Sequence, residues 1–246
     1  MRHSYGDDPD QWAELSRARA TPRGVAVVIH GGFWRARYDA SLGEGLARDL
    51  VDRGWNAFNV EYRRVGRGGG WPDTLSDVAD AIDALATLDL DLTRVVAIGH
   101  SAGGHLATWA GGRARLAPDQ PGASPRVVLT GVIAQAGVLD LRGGAREGVG
   151  GTAITDLLGG GPEEVPDRYA VADPLSMAPL DVPVFCVHSR EDDAVPFSQS
   201  ETYVDAARRR GGVAELLEFH GGHMDHVDPT SGAWRRALGA LERLAE

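Results

Sequence analysis

A chain of 246 residues, 43% of them hydrophobic and 24% charged, is long enough to bury an ample core as one domain spanning 1–246. Its formal net charge of −10 and the lack of any basic stripe exclude a general nucleic-acid binder. Cys186 is the only cysteine, so neither an intramolecular disulfide nor a cysteine zinc cluster can form. All 25 basic residues are arginine, which excludes a Schiff-base lysine, a pyridoxal anchor, a Walker lysine and a Ser-Lys pair. Met1 to Asp10 contains no apolar leader and no apolar run reaches membrane-spanning length. The cytoplasm is therefore the expected compartment, with no membrane contact.

In chain order, Gln11 to Arg17 alternates and reads as a first, edge strand. Val25 to Ile29 is the clearest buried strand, and it runs into His30-Gly31-Gly32-Phe33-Trp34. Leu42 to Arg53 has the pattern of an amphipathic helix closed by Gly54, and Trp55 to Tyr62 is the next strand. Arg63 to Trp71 is a Gly/Arg loop; its Gly66-x-Gly68 lacks the third glycine and the following helix of a dinucleotide site. Pro72 to Leu88 reads as a long helix with Leu75, Val78, Ala79, Ile82 and Leu85-Ala86 facing inward. Asp77, Asp80 and Asp83 fall on its other faces and read as solvated surface. Val95 to Ile98 is a buried strand, followed by a helix from Ala102 to about Arg115. Ala117 to Pro125 is a loop and Val127 to Ala136 a strand. Leu141 to Val182 is irregular, with one short helix near Ala153 to Leu158, and is the only candidate lid. A strand at Val184 to Val187, a helix at Phe197 to Arg210, a strand at Val213 to Phe219 and a helix at Gly232 to Ala245 close the chain. This alternation predicts an α/β fold: a mainly parallel central sheet covered by helices on both faces, with a minimal lid.

The chemistry centres on Gly99-His100-Ser101-Ala102-Gly103, between a buried strand and a helix. Glycines two before and two after a serine permit a tight, strained turn that lifts the hydroxyl clear of the sheet. The helix start aims free N–H groups at the same place, where negative charge develops in acyl transfer. This is the arrangement of the nucleophile elbow of α/β-hydrolases. A serine nucleophile needs a base and an orienting acid, which in that fold follow in the order Ser, Asp or Glu, His. In His188-Ser189-Arg190-Glu191-Asp192-Asp193 three carboxylates compete for the acid's role. In His220-Gly221-Gly222-His223-Met224-Asp225-His226 three histidines compete for the base's. Their spacing also suggests a metal site, against which Gly221-Gly222 breaks any helical presentation, and no metal is expected. Ala102 N–H is one oxyanion donor, and Gly32 and Phe33 N–H are expected to supply the others, with His30 as a brace of that loop. His100 and His105, flanking the turn, are read as structural.

With these residues in place the chain resembles the α/β-hydrolase superfamily over nearly its whole length. The loop at His188 is similar to the family pattern His-Gly-x-x-Asp-x-x-Val-Pro, with Ser189 for the glycine, and this resemblance selects Asp192 as the acid. The family ending Gly-His-x-Asp selects His223 as the base. His30-Gly31-Gly32-Phe33-Trp34, Glu61-Tyr62-Arg63 and Gly99 to Ala107 resemble the hormone-sensitive-lipase-like branch, and within it arylformamidases (kynurenine formamidases) and related bacterial esterases. The resemblance implies a serine hydrolase of carboxylic ester or amide bonds in small substrates of short acyl or aryl type. Trp34, Trp71 and Met224 are expected to line the substrate site, no cofactor is implied, and the oligomeric state is left open. A formamidase acting on N-formyl-kynurenine, a biosynthetic thioesterase or cyclase, and a non-catalytic binding protein of the same fold are the alternatives.

Overall fold

The computed structural model describes residues 1–246. Eight strands form one sheet: β1 Arg2–Ser4, β2 Trp12–Ser16, β3 Val25–Ile29, β4 Asn56–Val60, β5 Val95–His100, β6 Gly131–Gln135, β7 Val184–His188 and β8 Ala214–Glu218. They lie in the order β1-β2-β4-β3-β5-β6-β7-β8. From β4 to β8 all neighbours are parallel, and β1 and β2 attach at one edge as an antiparallel pair. The long helices are α1 Glu44–Asp52, α2 Asp73–Ala84, α3 Ala102–Gly112, α8 Ser198–Arg209 and α9 Gly232–Arg243. α4 Leu141–Glu147, α5 Ala153–Leu158, α6 Pro166–Ala172 and α7 Pro174–Met177 are short and lie between β6 and β7.

Both faces of the sheet are covered, as its near-continuous apolar strands require. In β3, Val25, Val27 and Ile29 join the core layer beneath α2, α3 and α8, whereas Ala26 and Val28 join the layer beneath α1 and α9. This period of two is the strand pleat expressed in packing. α3 lies in the middle of the larger layer, and of its residues only Gly111 escapes burial. The strands' C-terminal ends gather at one edge, where the loops carrying residues 30–34, 101, 136 and 188–195 meet.

The fold corrects four expectations. The first strand is Arg2–Ser4, so the strand at Trp12–Ser16 is second and not at the edge. The Leu141 to Val182 segment holds four short helices rather than one. The strand expected over Val127 to Ala136 shrinks to Gly131–Gln135, with Val128 60% exposed in the preceding loop. Asp77 is not surface: its side chain is wholly buried and takes Arg63 Nε at 2.9 Å, Arg63 Nη2 at 2.8 Å, Arg63 N–H at 2.9 Å and Gln11 Nε2 at 2.7 Å. Asp83 likewise pairs with Arg113 and caps the N–H groups of Arg126 and Val127. Of the three only Asp80 is exposed.

Asp77→Ala leaves the Arg63 main-chain N–H and the Gln11 amide without their acceptor, while Arg63 keeps Asp73 at 3.1 Å, so it is expected to destabilise the fold by about 2 kcal/mol. Asp80→Ala should change stability by less than about 0.5 kcal/mol. Urea midpoints of the two variants check the ranking, and equal midpoints would contradict it.

Candidate active site

β5 ends at His100 and α3 begins at Ala102, so Ser101 makes the entire turn. Its backbone sits at φ 56°, ψ −117°, outside the regions open to an unstrained side chain. Close packing on both sides holds it there. A Cβ on Gly99 would lie 2.0 Å from the carbonyl oxygen of Gly103, and one on Gly103 would lie 2.0 Å from that of Ile29. Gly31 is equally confined, since a Cβ there would come within 2.8 Å of the His100 carbonyl oxygen and 3.1 Å of Ser101 Cβ. The loop after β3 is thus laid directly on the serine turn. Phe33 and Trp34 in that loop also have positive φ, 51° and 55°. The main-chain N–H groups of Gly32 and Phe33 donate to no acceptor in the protein. As the first residue of α3, Ala102 has an N–H with no acceptor inside its own helix.

His223 starts a 3-10 turn, His223–Val227, after β8. Its Nδ1 stands 2.8 Å from Oδ2 of Asp192, whose side chain is wholly buried. The other oxygen of Asp192 accepts N–H groups from Ala194 at 2.9 Å and Val195 at 2.8 Å, which fixes the carboxylate plane. Burial acts to raise the pKa of Asp192, but His188, with Nε2 3.5 Å from the carboxylate, and hydrogen bonds from His223 and Val195 outweigh it and hold the group well below the usual carboxylate range. His188 closes the same loop: Nε2 donates to the Val195 carbonyl at 3.0 Å and Nδ1 meets the Ser200 hydroxyl at 2.8 Å. The rival carboxylates point elsewhere, Asp193 being exposed and Glu191 facing the exposed His220 at 3.3 Å. His220, His223 and His226 do not converge: the first is out on Glu191, the second on Asp192, and the third is buried against Phe219 and His100.

His30 braces the loop after β3 through Gly31 O at 2.8 Å and Glu61 Oε1 at 3.0 Å, with its ring stacked on Tyr62. Trp34 departs from the expectation of a substrate wall. It is fully buried, and its indole N–H donates to His105 Nδ1 at 3.2 Å. His105 Nε2 in turn donates to the Ala172 carbonyl at the end of α6, so Trp34 ties the loop through α3 to the short-helix segment. Burial lowers the His105 pKa to about 4, so the ring is neutral with one N–H, as this chain of bonds requires. Trp71 is partly buried and donates its main-chain N–H to Leu157 O at 2.7 Å. Met224, beside His223, is 52% exposed. Phe33 lies against Gly150, whose carbonyl accepts Arg35 Nη2 at 3.1 Å. Ser101 is left 1% exposed and His223 9%. Gln135, at the end of β6 and not among the residues expected at the site, accepts the Ser101 N–H on its carbonyl at 2.8 Å. Its only signal is a polar residue closing an apolar strand.

A parallel sheet with a strained serine between its middle strand and a buried helix, and a carboxylate–histidine pair on loops of two later strands, defines the α/β-hydrolase fold. The sequence model of the BD-FAE family matches residues 14–206, and the chain belongs to that family. Among curated relatives, the probable isoprenylcysteine alpha-carbonyl methylesterase ICME of Oryza sativa subsp. japonica is 26% identical over 240 residues, covering 88% of this chain and 56% of the relative. The probable carboxylic ester hydrolase LipM of Mycobacterium tuberculosis is 27% identical over 210 residues, covering 75% and 45%. The chain spans about half the length of the curated relatives it matches. Of solved structures, a truncated carbohydrate esterase from gut microbiota superposes with a TM-score of 0.82 at 19% identity, over 99% of this chain and 95% of that one. The butyrate-bound esterase Est2 of Thermogutta terrifontis gives 0.76 at 22%, over 99% and 92%. No helix is long and apolar enough to cross a membrane.

The buried rings have a consequence for stability. Burial, then the neighbouring His100, His188 and His223, hold the His226 pKa well below 6.5. As pH falls, the unfolded chain takes this proton first, so the contribution is complete above about pH 6.5 and is lost as pH falls toward the folded-state value. His226→Phe, which keeps a ring in the same niche, should make stability less steep below pH 6.5, by up to about 1.4 kcal/mol per pH unit. Urea midpoints from pH 7 to 4.5 measure this, and parallel curves for variant and parent would contradict it.

Proposed function

We propose that the chain is a serine hydrolase of carboxylic esters acting on small substrates. The observation that carries the reading is the 2.8 Å bond from His223 Nδ1 to a buried Asp192, in a site whose serine sits in a strained elbow. In this reading Ser101 Oγ attacks the ester carbonyl carbon while its proton passes to His223 Nε2, and Asp192 holds the imidazole in the required tautomer. The tetrahedral oxyanion is met by the N–H groups of Gly32, Phe33 and Ala102. His223 then returns the proton to the leaving alcohol, and water, activated by the same imidazole, releases the acid from the acyl-enzyme. The relatives support the reaction class, being named methylesterase and carboxylic ester hydrolase.

Ser101→Ala should abolish turnover of p-nitrophenyl acetate and labelling by a fluorophosphonate while leaving the fold intact; loss of one member of such a triad removes several orders of magnitude. Asp192→Asn should lower kcat far more than Asp193→Asn, because a single carboxylate reaches His223. A labelled Ser101→Ala variant, or the reverse ranking of the aspartates, would refute the assignment. Absence of labelling in the parent protein would favour the non-catalytic binder.

A short acyl group fits this reading best. Ser101 and His223 are nearly enclosed, and Phe33 is held over the loop by contact with Gly150. Each methylene that a pocket accepts or rejects changes the barrier by only about 1–3 kcal/mol, so preference declines gradually. kcat/KM on p-nitrophenyl esters should peak from acetate to butyrate and fall by octanoate; a maximum at ten carbons or more would refute the narrow site. The resemblance of His30 to Trp34 to arylformamidases makes N-formyl-kynurenine the first amide to try. Good ester turnover without formamide cleavage would refute the formamidase alternative alone.

A further inference from the structure

Two side chains bind the turn that carries His223, and neither touches a reacting atom in the mechanism above. His100, the residue before Ser101, points Nε2 at the main-chain carbonyl of His223 at 3.0 Å. A carbonyl oxygen can only accept, so this nitrogen carries the proton. The His100 ring also lies against the His223 ring, centroids 4.5 Å apart, and against His226 at 5.4 Å. Three residues along the same turn, Gln135 Nε2 donates to the His226 carbonyl at 3.2 Å. Gln135 is bound to the serine as well, because its own carbonyl accepts the Ser101 N–H. Both side chains are buried, at 4% and 0% exposure. Ala136, next to Gln135, has a positive φ of 46°, so the strand end presenting this amide is itself strained.

We propose that His100 and Gln135 are positioning residues for His223: a two-point clamp, from the ends of β5 and β6, that fixes the main chain of the base relative to the serine. The proposal rests on the hydrolase reading and deepens it. Asp192 fixes the orientation of the imidazole about its own Nδ1, but a single bond from a loop does not fix how far the ring stands from Ser101. The clamp supplies that distance. His100 is joined to Ser101 by a peptide bond and Gln135 by a backbone hydrogen bond, so both donors move with the nucleophile. Burial keeps His100 neutral, lowering its pKa to about 3, so its single N–H remains on the carbonyl throughout the working pH range. Misplacing a base by about 1 Å costs as much as 100-fold in rate. Such a loss appears in kcat and leaves ground-state binding alone.

The test compares the parent protein with His100→Phe, His100→Gln and Gln135→Met on p-nitrophenyl acetate, with active sites counted by fluorophosphonate titration. Phe keeps the ring and loses the donor; Gln restores a donor of similar reach; Met keeps the length of Gln135 without its N–H. Expected are falls in kcat per titrated site of about 10-fold or more for His100→Phe and Gln135→Met, KM within about twofold, and recovery of most of the loss in His100→Gln. Unchanged kcat per titrated site in His100→Phe and Gln135→Met, or a His100→Gln as slow as His100→Phe, would overturn the clamp. If His100→Phe does not fold, the Gln135→Met and His100→Gln results decide by the same criteria. A parent protein that neither turns over nor labels would instead overturn the hydrolase reading and the clamp with it.

Discussion

The candidate site depends on how closely the main chain approaches itself where β3 and β5 end. Gly103 packs against the carbonyl of Ile29, and Gly31 against His100 and Ser101, with no room for a side-chain carbon at either contact. That proximity holds Ser101 at φ 56° and lays the loop after β3, in which the Gly32 and Phe33 N–H groups are unpaired, against the serine turn. Backbone strain of this kind costs on the order of 1–3 kcal/mol per residue and persists only where the surroundings over-determine it. The surroundings here are ample: β5 is central in the sheet, α3 is buried nearly all round, and Trp34 and His105 bind the β3 loop to the helix.

A second constraint is the treatment of histidine. Six imidazoles, His30, His100, His105, His188, His223 and His226, are buried. For His100, His105 and His188 the partners dictate where the proton sits, since each directs Nε2 at a carbonyl oxygen. In His223 the nitrogen committed to a partner is Nδ1, and that partner is a carboxylate. The contrast sets the one ring whose committed nitrogen faces a carboxylate apart from neighbours whose Nε2 faces a carbonyl. His226 is stacked on His100 and meets Phe219 edge-on.

Much of this was legible in the sequence because the relevant signals are local. Buried parallel strands are short apolar runs, and β3, β5 and β7 stand out as such. The elbow is readable because glycine at both flanks has a steric cause. The reading failed where the deciding partner is distant or the element is short. Asp77 shares a helix with Asp80 and Asp83, and nothing within that helix marks it as the residue that meets Arg63 and Gln11. Trp34 sits beside the glycines as a substrate wall would, but its φ of 55° turns the indole into the core. The helices α4 to α7 have four to seven residues each, too few for a period of 3.6 to repeat clearly. β1 has no apolar signal, since Arg2-His3-Ser4 forms a strand only by pairing with β2.

In the proposed mechanism the serine elbow and the β3 loop together form a site for a tetrahedral anion. A crystal structure of the protein after reaction with a short-chain phosphonate ester tests it most directly. Phosphorus is expected on Ser101 Oγ, with one phosphonyl oxygen about 2.7–3.1 Å from the main-chain nitrogens of Ala102 and of Gly32 or Phe33. An adduct on another residue, or a phosphonyl oxygen turned away from those nitrogens, would contradict it.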